Sequence, residues 1–592
     1  MMFPTVAAPY TARHVTDVFR GYDHNPRIGE GSFYHMENLT GDRYPLLSNR
    51  KPRGYLKTLQ QPRGMIAKGK PVYIDGNRLY HGDTELTDCL RQKGYVLSEG
   101  EKQLVSMGAY LVIYPDKLYL NMEDHSDCGS LEARYTKPED VGAVYTICTV
   151  DGEEETDPVV SAVAPENANA GDLWLDISAV PHTLMRYSAL SDVWTAVPTV
   201  YVKIRAIGIG RDFRVYDGVE LQIDPGVEDD RNKQLGALCG KQILYGCGED
   251  YIVVAGQLEQ SYAQLRGSVT VTRTMPEVDY LTEAGNRLWG CKYGVVNGKA
   301  VNEIYCCALG DFTNWNRFMG ASTDSYAASV GSDGPWTGAV THLGYPIFFK
   351  EHCMHKVYIS PTGGHSIAES RCRGVEAGSA KSLAVVGEQL LYRAHGGIMA
   401  YDGSLPVCIS DALGDVTYRD AVAGVLGDKY YVSMTDDTGK GNLFVYDTRR
   451  GFWHREDDTR ALWFASCGNE LYFVDAAGKL RCVGGSEGTL EEPVRWLADT
   501  GIMGYTTVEQ KYVSRFLLRM RLGEGASADA YIRYDSCGDW HHAGHAEGGV
   551  LGTFLLPVRP RRCDHFEVRL QGVGDVCLYS FARVFEKGSD AV

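Results

Sequence analysis

Three stretches decide the fold: Ser382–Tyr392 (SLAVVGEQLLY), Ala421–Tyr431 (AVAGVLGDKYY) and Leu462–Tyr472 (LWFASCGNELY). In each, a few strand-forming residues run into a glycine. Two variable residues follow, then an apolar residue and an aromatic one. The pattern also stands at Met65–Tyr73 (MIAKGKPVY), Val105–Tyr114 (VSMGAYLVIY), Tyr280–Trp289 (YLTEAGNRLW) and Ala339–Phe349 (AVTHLGYPIFF). Glycine supplies the positive φ of a tight turn, and the flanking alternation gives each strand one face to bury. Each copy therefore predicts a β-hairpin, and a further strand follows each, as in Gly396–Gly403 (GGIMAYDG) and Gly441–Thr448 (GNLFVYDT).

The seven glycines are Gly69, Gly108, Gly285, Gly344, Gly387, Gly427 and Gly468, with steps of 39, 177, 59, 43, 40 and 41 residues. A period of about 40 residues is that of a four-stranded propeller blade. The chain thus reads as all-β, built on a seven-bladed β-propeller. Six and eight are the neighbouring counts, since the 59-residue step has room for a degenerate blade or a long loop near Asn314–Ser332. No blade buries both faces alone, so stacking in a ring makes the core. The aromatics at the repeated positions fill gaps between blades on this reading, rather than forming a ring of sugar platforms.

The 177-residue step holds an inserted β-barrel or β-sandwich module, read as residues 149–270. It opens on the acidic Asp151–Pro158 (DGEEETDP) and continues in strand candidates separated by Gly, Asp and Pro. Beyond the last blade, residues 491–592 carry strong strand signals and read as a C-terminal β-sandwich. Residues 1–60 show little periodicity and read as an extended arm that wraps or closes the ring, ending at Asn49–Gly54 (NRKPRG). Residues 61–148 are then blades 1 and 2, and 271–490 the remaining blades. In Ser514–Leu522 (SRFLLRMRL) basic and apolar residues alternate, so Arg515, Arg519 and Arg521 share a polar face, a candidate subunit contact.

With 59 basic against 76 acidic residues the formal net charge is −17, which argues against a nucleic-acid-binding surface as the main business. The 16 cysteines are spread over the chain without a CxxC, which predicts reduced thiols in a protein assembled in a cytoplasm. Neither a signal peptide nor an apolar run long enough for a membrane anchor is read.

Four stretches invite chemistry. Glu351–His355 (EHCMH) and Trp540–His545 (WHHAGH) have the composition of metal sites without a zinc-motif spacing, and neighbours on a strand face opposite ways. Gly208–Phe213 (GIGRDF) lacks the third glycine and the following helix of a phosphate loop, so it reads as a turn. Gly331–Gly338 (GSDGPWTG) has the wrong residue order for a sialidase-type turn. HExxH does not occur, and the GxSxG match at Gly484–Gly488 (GGSEG) has no helical pattern after it, so no nucleophile elbow is read. The expectation is no catalytic, cofactor or metal residue, and not an enzyme.

The order of pieces resembles the propeller-containing nozzle, or tail-stabilisation, proteins of short-tailed bacteriophages and related prophages. The resemblance is carried by Phe19–Gly54, Asn286–Cys291 (NRLWGC), Leu309–Gly338, Leu343–His352, Gly397–Pro406 and Val445–Asp457 (VYDTRRGFWHRED). It implies a structural virion protein of the tail, assembled in the host bacterial cytoplasm. That protein would form a ring, sixfold in expectation, below the portal and adaptor. DNA would pass through it during genome ejection without specific binding. The alternatives are a carbohydrate-binding host-recognition propeller and a glycan-processing enzyme.

Overall fold

The computed structural model describes residues 11–226, 230–264, 266–362, 364–504, 510–549, 551–556, 558 and 561–587. The two ends of the expected layout, residues 1–10 and 588–592, lie outside the described residues. Seven antiparallel sheets form a closed propeller. Blade 1 consists of Pro62–Lys68, Lys70–Asp75, Arg78–His81 and Thr84–Glu85. Blades 2 to 6 span 103–130, 280–329, 338–371, 384–408 and 418–457. Blade 7 supplies Ala461–Cys467, Glu470–Asp475 and Lys479–Val483, and Ala461–Cys467 lies against Pro62–Lys68 of blade 1 to shut the ring.

Each of the seven glycines sits in the turn between the first and second strands of its blade, with φ between 55 and 78°. The repeated aromatics are interior: Tyr73, Trp289, Phe348, Tyr392, Tyr430 and Tyr472 are all buried. The 59-residue step contains no eighth blade. Its extra length is a loop, 307–325, between the third and fourth strands of blade 3.

Blade 7 takes its fourth strand from the other end of the chain. Gly54–Thr58 pairs antiparallel with Lys479–Cys482 and closes the ring. Only glycine fits at the first position, because a Cβ on Gly54 would stand 1.6 Å from the Glu487 carbonyl oxygen. The expected arm boundary at residue 60 is corrected accordingly, since 54–58 is propeller. The rest of the arm is woven into the C-terminal unit. Gly21–Tyr22 meets Trp453 of blade 6 and runs parallel to Ser32–Phe33; Ser32–Glu37 pairs with Arg495–Thr500. The sheet continues through Phe566–Val573, Ser527–Tyr534 and Cys537–Glu547, ten strands from propeller to terminal unit. A second sheet of six strands, including Thr11–Thr16, Leu39–Thr40 and Leu47–Asn49 from the arm, packs over it around Phe516, Leu518, Met520, Ile532, Phe566 and Leu570.

The inserted module begins earlier than expected, because Ala133–Thr136 pairs with Thr270–Arg273. Two sheets enclose its core around Tyr145, Ile147, Val202, Ile204, Leu221 and Val271, and a small third sheet spans 159–196. Gly208–Phe213 is a turn here. The blade 3 loop clamps the module: Asn314 Nδ2 donates to the Tyr216 carbonyl (2.8 Å), and Gly218 N–H donates to Asn314 Oδ1 (3.2 Å). The expectation of wholly reduced thiols is also corrected. Cys89 and Cys128 form a disulfide, because stacking blades 1 and 2 brings together residues 39 apart in sequence.

Candidate functional site: the cleft where the arm crosses blades 6 and 7

A polar cavity of about 540 Å³ opens between the arm (Thr40, Asp42, Arg50, Arg53), blade 6 and blade 7. Its floor is a network of paired charges. Arg53 is buried and donates to Glu456 Oε2 (2.6 Å) and reaches Asp457 Oδ2 at 2.8 Å, while its backbone N–H donates to Glu491 Oε1 (2.8 Å). Arg50, equally buried, bonds Glu491 and the Asn38 side-chain oxygen. Burial pushes the Asp457 carboxyl up, but the Arg53 charge, the Thr459 hydrogen bonds and Arg50 outweigh it and hold the group at about 2.

Nearby, Lys429 pairs with Asp42, and His454 Nε2 accepts from the Gly41 N–H at 2.8 Å. Burial, with Lys429 beside it, lowers His454 to about 3, so the ring is neutral and keeps its acceptor. Arg450 donates to the Gly41 carbonyl and to Asp447. The arm thus crosses two blades on ion pairs. These charges are spent on holding chain to chain. What faces the opening is the rim, with Asp428, Arg449, Lys51, Asn469 and Ser486.

Side chains reach across the propeller axis. Lys381, leading into blade 5, reaches Glu101 at blade 2 (3.0 Å) and the Leu462 carbonyl of blade 7 (3.3 Å), so side chains meet across the middle.

Arg515, Arg519 and Arg521 fall on Lys511–Leu522, a strand of the six-stranded sheet. Arg515 and Arg519 are exposed and Arg521 is half-buried, 3.4 Å from Asp575. Register places Arg521 opposite Leu551, Arg519 opposite Thr553 and Leu517 opposite Leu555. Leu551 and Leu555 are 48% and 61% exposed, so the basic residues share their face with uncovered apolar ones. The sequence pattern picks out the arginines; the leucines emerge only with the pairing register.

Of the histidine stretches, His542 and His545 converge on Asp529 at 3.1 and 2.8 Å at the surface. In the other, Cys353 and His355 are two apart on one strand and so share a face, with Glu369 directly opposite His355. Their donor atoms lie within 4.8 Å of one another. The objection from alternation applies to His352, not to this pair.

No protein-family profile matches the chain, nor does any curated protein. Among solved structures it is similar to an exo-β-1,3-galactanase from Phanerochaete chrysosporium, at 8% identity and TM-score 0.21, covering 50% of this chain and 95% of that one. It is also similar to PorZ, a surface component of the type-IX secretion system of Porphyromonas gingivalis, at 11% identity and TM-score 0.26, covering 89% and 71%. A third is the N-terminal domain of Nup159, at 9% identity and TM-score 0.22, covering 79% and 99%. Glycoside hydrolases are among these matches, the galactanase and a family 43 arabinoxylan arabinofuranohydrolase from Bacillus subtilis. The expectation that the chain is not an enzyme is corrected to no statement on catalysis, since a fold hosts many functions and an absent sequence motif excludes none of them.

Proposed function

We propose that this protein is a ring-forming structural component of a short bacteriophage tail, a nozzle or hub through which DNA leaves the virion. The observation that carries the reading is the ten-stranded sheet running from blade 6 into the terminal unit, reinforced by the Arg50 and Arg53 ion pairs. It makes propeller and terminal unit one stiff body, which suits a part that transmits force between neighbours. With the propeller axis crossed by Lys381, the DNA path on this reading lies between copies, along a ring lumen, and portal and adaptor proteins are the axial partners. The acidic inserted module, with twenty-one carboxylates against twelve basic side chains over 133–273, would repel phosphate near such a path. The face bearing Arg515, Arg519 and Arg521 is the candidate contact between copies. Electron microscopy of the virion with antibody label on this chain tests the reading. Label on the tail axis supports it, and label on peripheral fibres overturns it.

A second reading, a glycan-binding or glycan-processing propeller, is favoured by the cleft rim, where Asp428, Arg449, Asn469 and Ser486 offer donors and acceptors suited to a hydroxyl-rich ligand. Calorimetry with host-surface oligosaccharides, together with a turnover assay, decides it. Binding lost in Asp428→Ala with Arg449→Ala supports this second function.

A further inference from the structure

Two stretches left without a role, Glu351–His355 and Gly331–Gly338, meet in blade 4. Cys353 and His355 project from the third strand of the blade (Cys353–Tyr358), and Glu369 from its outermost strand (Ser366–Arg371). The antiparallel register sets Glu369 opposite His355, with Nε2 3.5 Å from Glu369 Oε2. The Ser332 hydroxyl, from the loop before the blade, is 3.1 Å from the same nitrogen. Trp336 from that loop packs edge-on against the imidazole, ring centroids 5.1 Å apart, and His355 is only 1% exposed. A thiol, an imidazole and a carboxylate are thus held on a rigid sheet, with two of the three buried and one side open at Glu369.

We propose that Cys353, His355 and Glu369 form a three-ligand site for a zinc-class divalent cation, with Ser332 Oγ beside the fourth position. The donor set selects the class: thiolate and imidazole together suit Zn²⁺ or Co²⁺, and they disfavour Mg²⁺ and Ca²⁺, which take oxygen ligands. Binding converts the Cys353 thiol to a thiolate and releases that proton to solvent. Two cations oppose it. Lys350 Nζ is fixed nearby by Asn302 Oδ1 (2.9 Å) and the Ser332 carbonyl (2.8 Å), and Arg371 pairs across from Cys353. Their repulsion makes the site weaker than a structural zinc centre. It also supplies a signature, since removing Lys350 should tighten metal binding while removing a ligand should abolish it.

The test uses the untagged full-length protein, incubated with Zn²⁺, dialysed, and analysed for metal by mass spectrometry. The site predicts about one zinc per chain. Retention should fall at least about tenfold in Cys353→Ser and in His355→Ala, and the Zn²⁺ dissociation constant should fall in Lys350→Met. Loading the wild type with Co²⁺ should give a thiolate-to-cobalt charge-transfer absorption. Because that readout needs no variant, it decides the matter even if a substitution prevents folding. Zinc content unchanged in Cys353→Ser, or wild-type protein that binds Co²⁺ without thiolate absorption, means adventitious binding and overturns the proposal. No retained zinc overturns it as well.

Discussion

The propeller and the terminal unit are both antiparallel β-structure, yet they are assembled in opposite ways. Blades 1 to 6 are made by consecutive hairpins, and their strands pair with neighbours in sequence. The terminal unit draws strands from residues 11–49 and from 495–587, so its pairings span nearly the whole chain. Local pairing repeats and can be seen as a period; pairing between the two ends leaves no local trace. The two constructions meet at Gly54–Thr58, one strand of the arm that belongs to the ring. That strand and the ten-stranded sheet couple the folding of the two regions, and the comparison can be broken at this junction.

The largest effect is expected there. In Gly54→Val the new side chain would collide with the Glu487 carbonyl and unseat the closing strand, costing more than about 4 kcal/mol. Chemical denaturation should show either no cooperative transition or a midpoint far below wild type. A small shift would mean that the ring stays closed without this strand. Next comes Arg53→Met, which leaves the buried Glu456 and the half-buried Asp457 beside a missing charge, at a cost of about 3–5 kcal/mol. Pairing it with Glu456→Gln should recover part of the loss.

A pH dependence sharpens the same point. The Asp457 carboxyl titrates at about 2 when folded and near 3.9 when unfolded, so the unfolded chain binds the proton more tightly. Its stabilisation is present above about pH 4 and is lost as pH falls toward 2. The stability difference between wild type and Asp457→Asn should therefore shrink over that window, read by denaturant titration at fixed pH. The smallest effect is expected at the inserted module. Its ends are close, since the Met275 N–H donates to Glu132 Oε1 at 3.2 Å. Excising 133–273 with a short glycine-rich join should leave the remaining transition within about 4 °C of wild type. Loss of soluble protein would show that the module is needed to fold the ring.

How much of this was legible follows from the same contrast. The blades, their turns and the buried aromatics were readable because glycine and alternation recur every forty residues or so, and because blade-to-blade packing asks the same of each copy. The arm reads as extended because its strands are two to six residues long, interrupted by Pro and Gly, and most of them gain their partners from distant parts of the chain. The cleft was invisible for that reason: Arg50, Arg53, Glu456 and Glu491 lie in three separate stretches, each an ordinary charged residue until the arm crosses the blades. The arginine face was half legible, since alternation gave Arg515, Arg519 and Arg521 but not Leu551 and Leu555. Cys353 and His355 were visible as a pair, while Glu369 needed the hairpin register.

On the proposed function, rigid bodies of this kind join edge to edge into a ring, and the mass of the assembled protein tests this. Native mass spectrometry of the full-length chain should give a closed oligomer, expected as six copies of the 65.3 kDa subunit. Arg515→Glu and Arg519→Glu together should convert it to monomer with little loss of stability, since both side chains are exposed and surface changes of this kind each cost about 0.5 kcal/mol or less. A wild-type protein that stays monomeric at every concentration, alone and with portal and adaptor proteins present, would contradict the account.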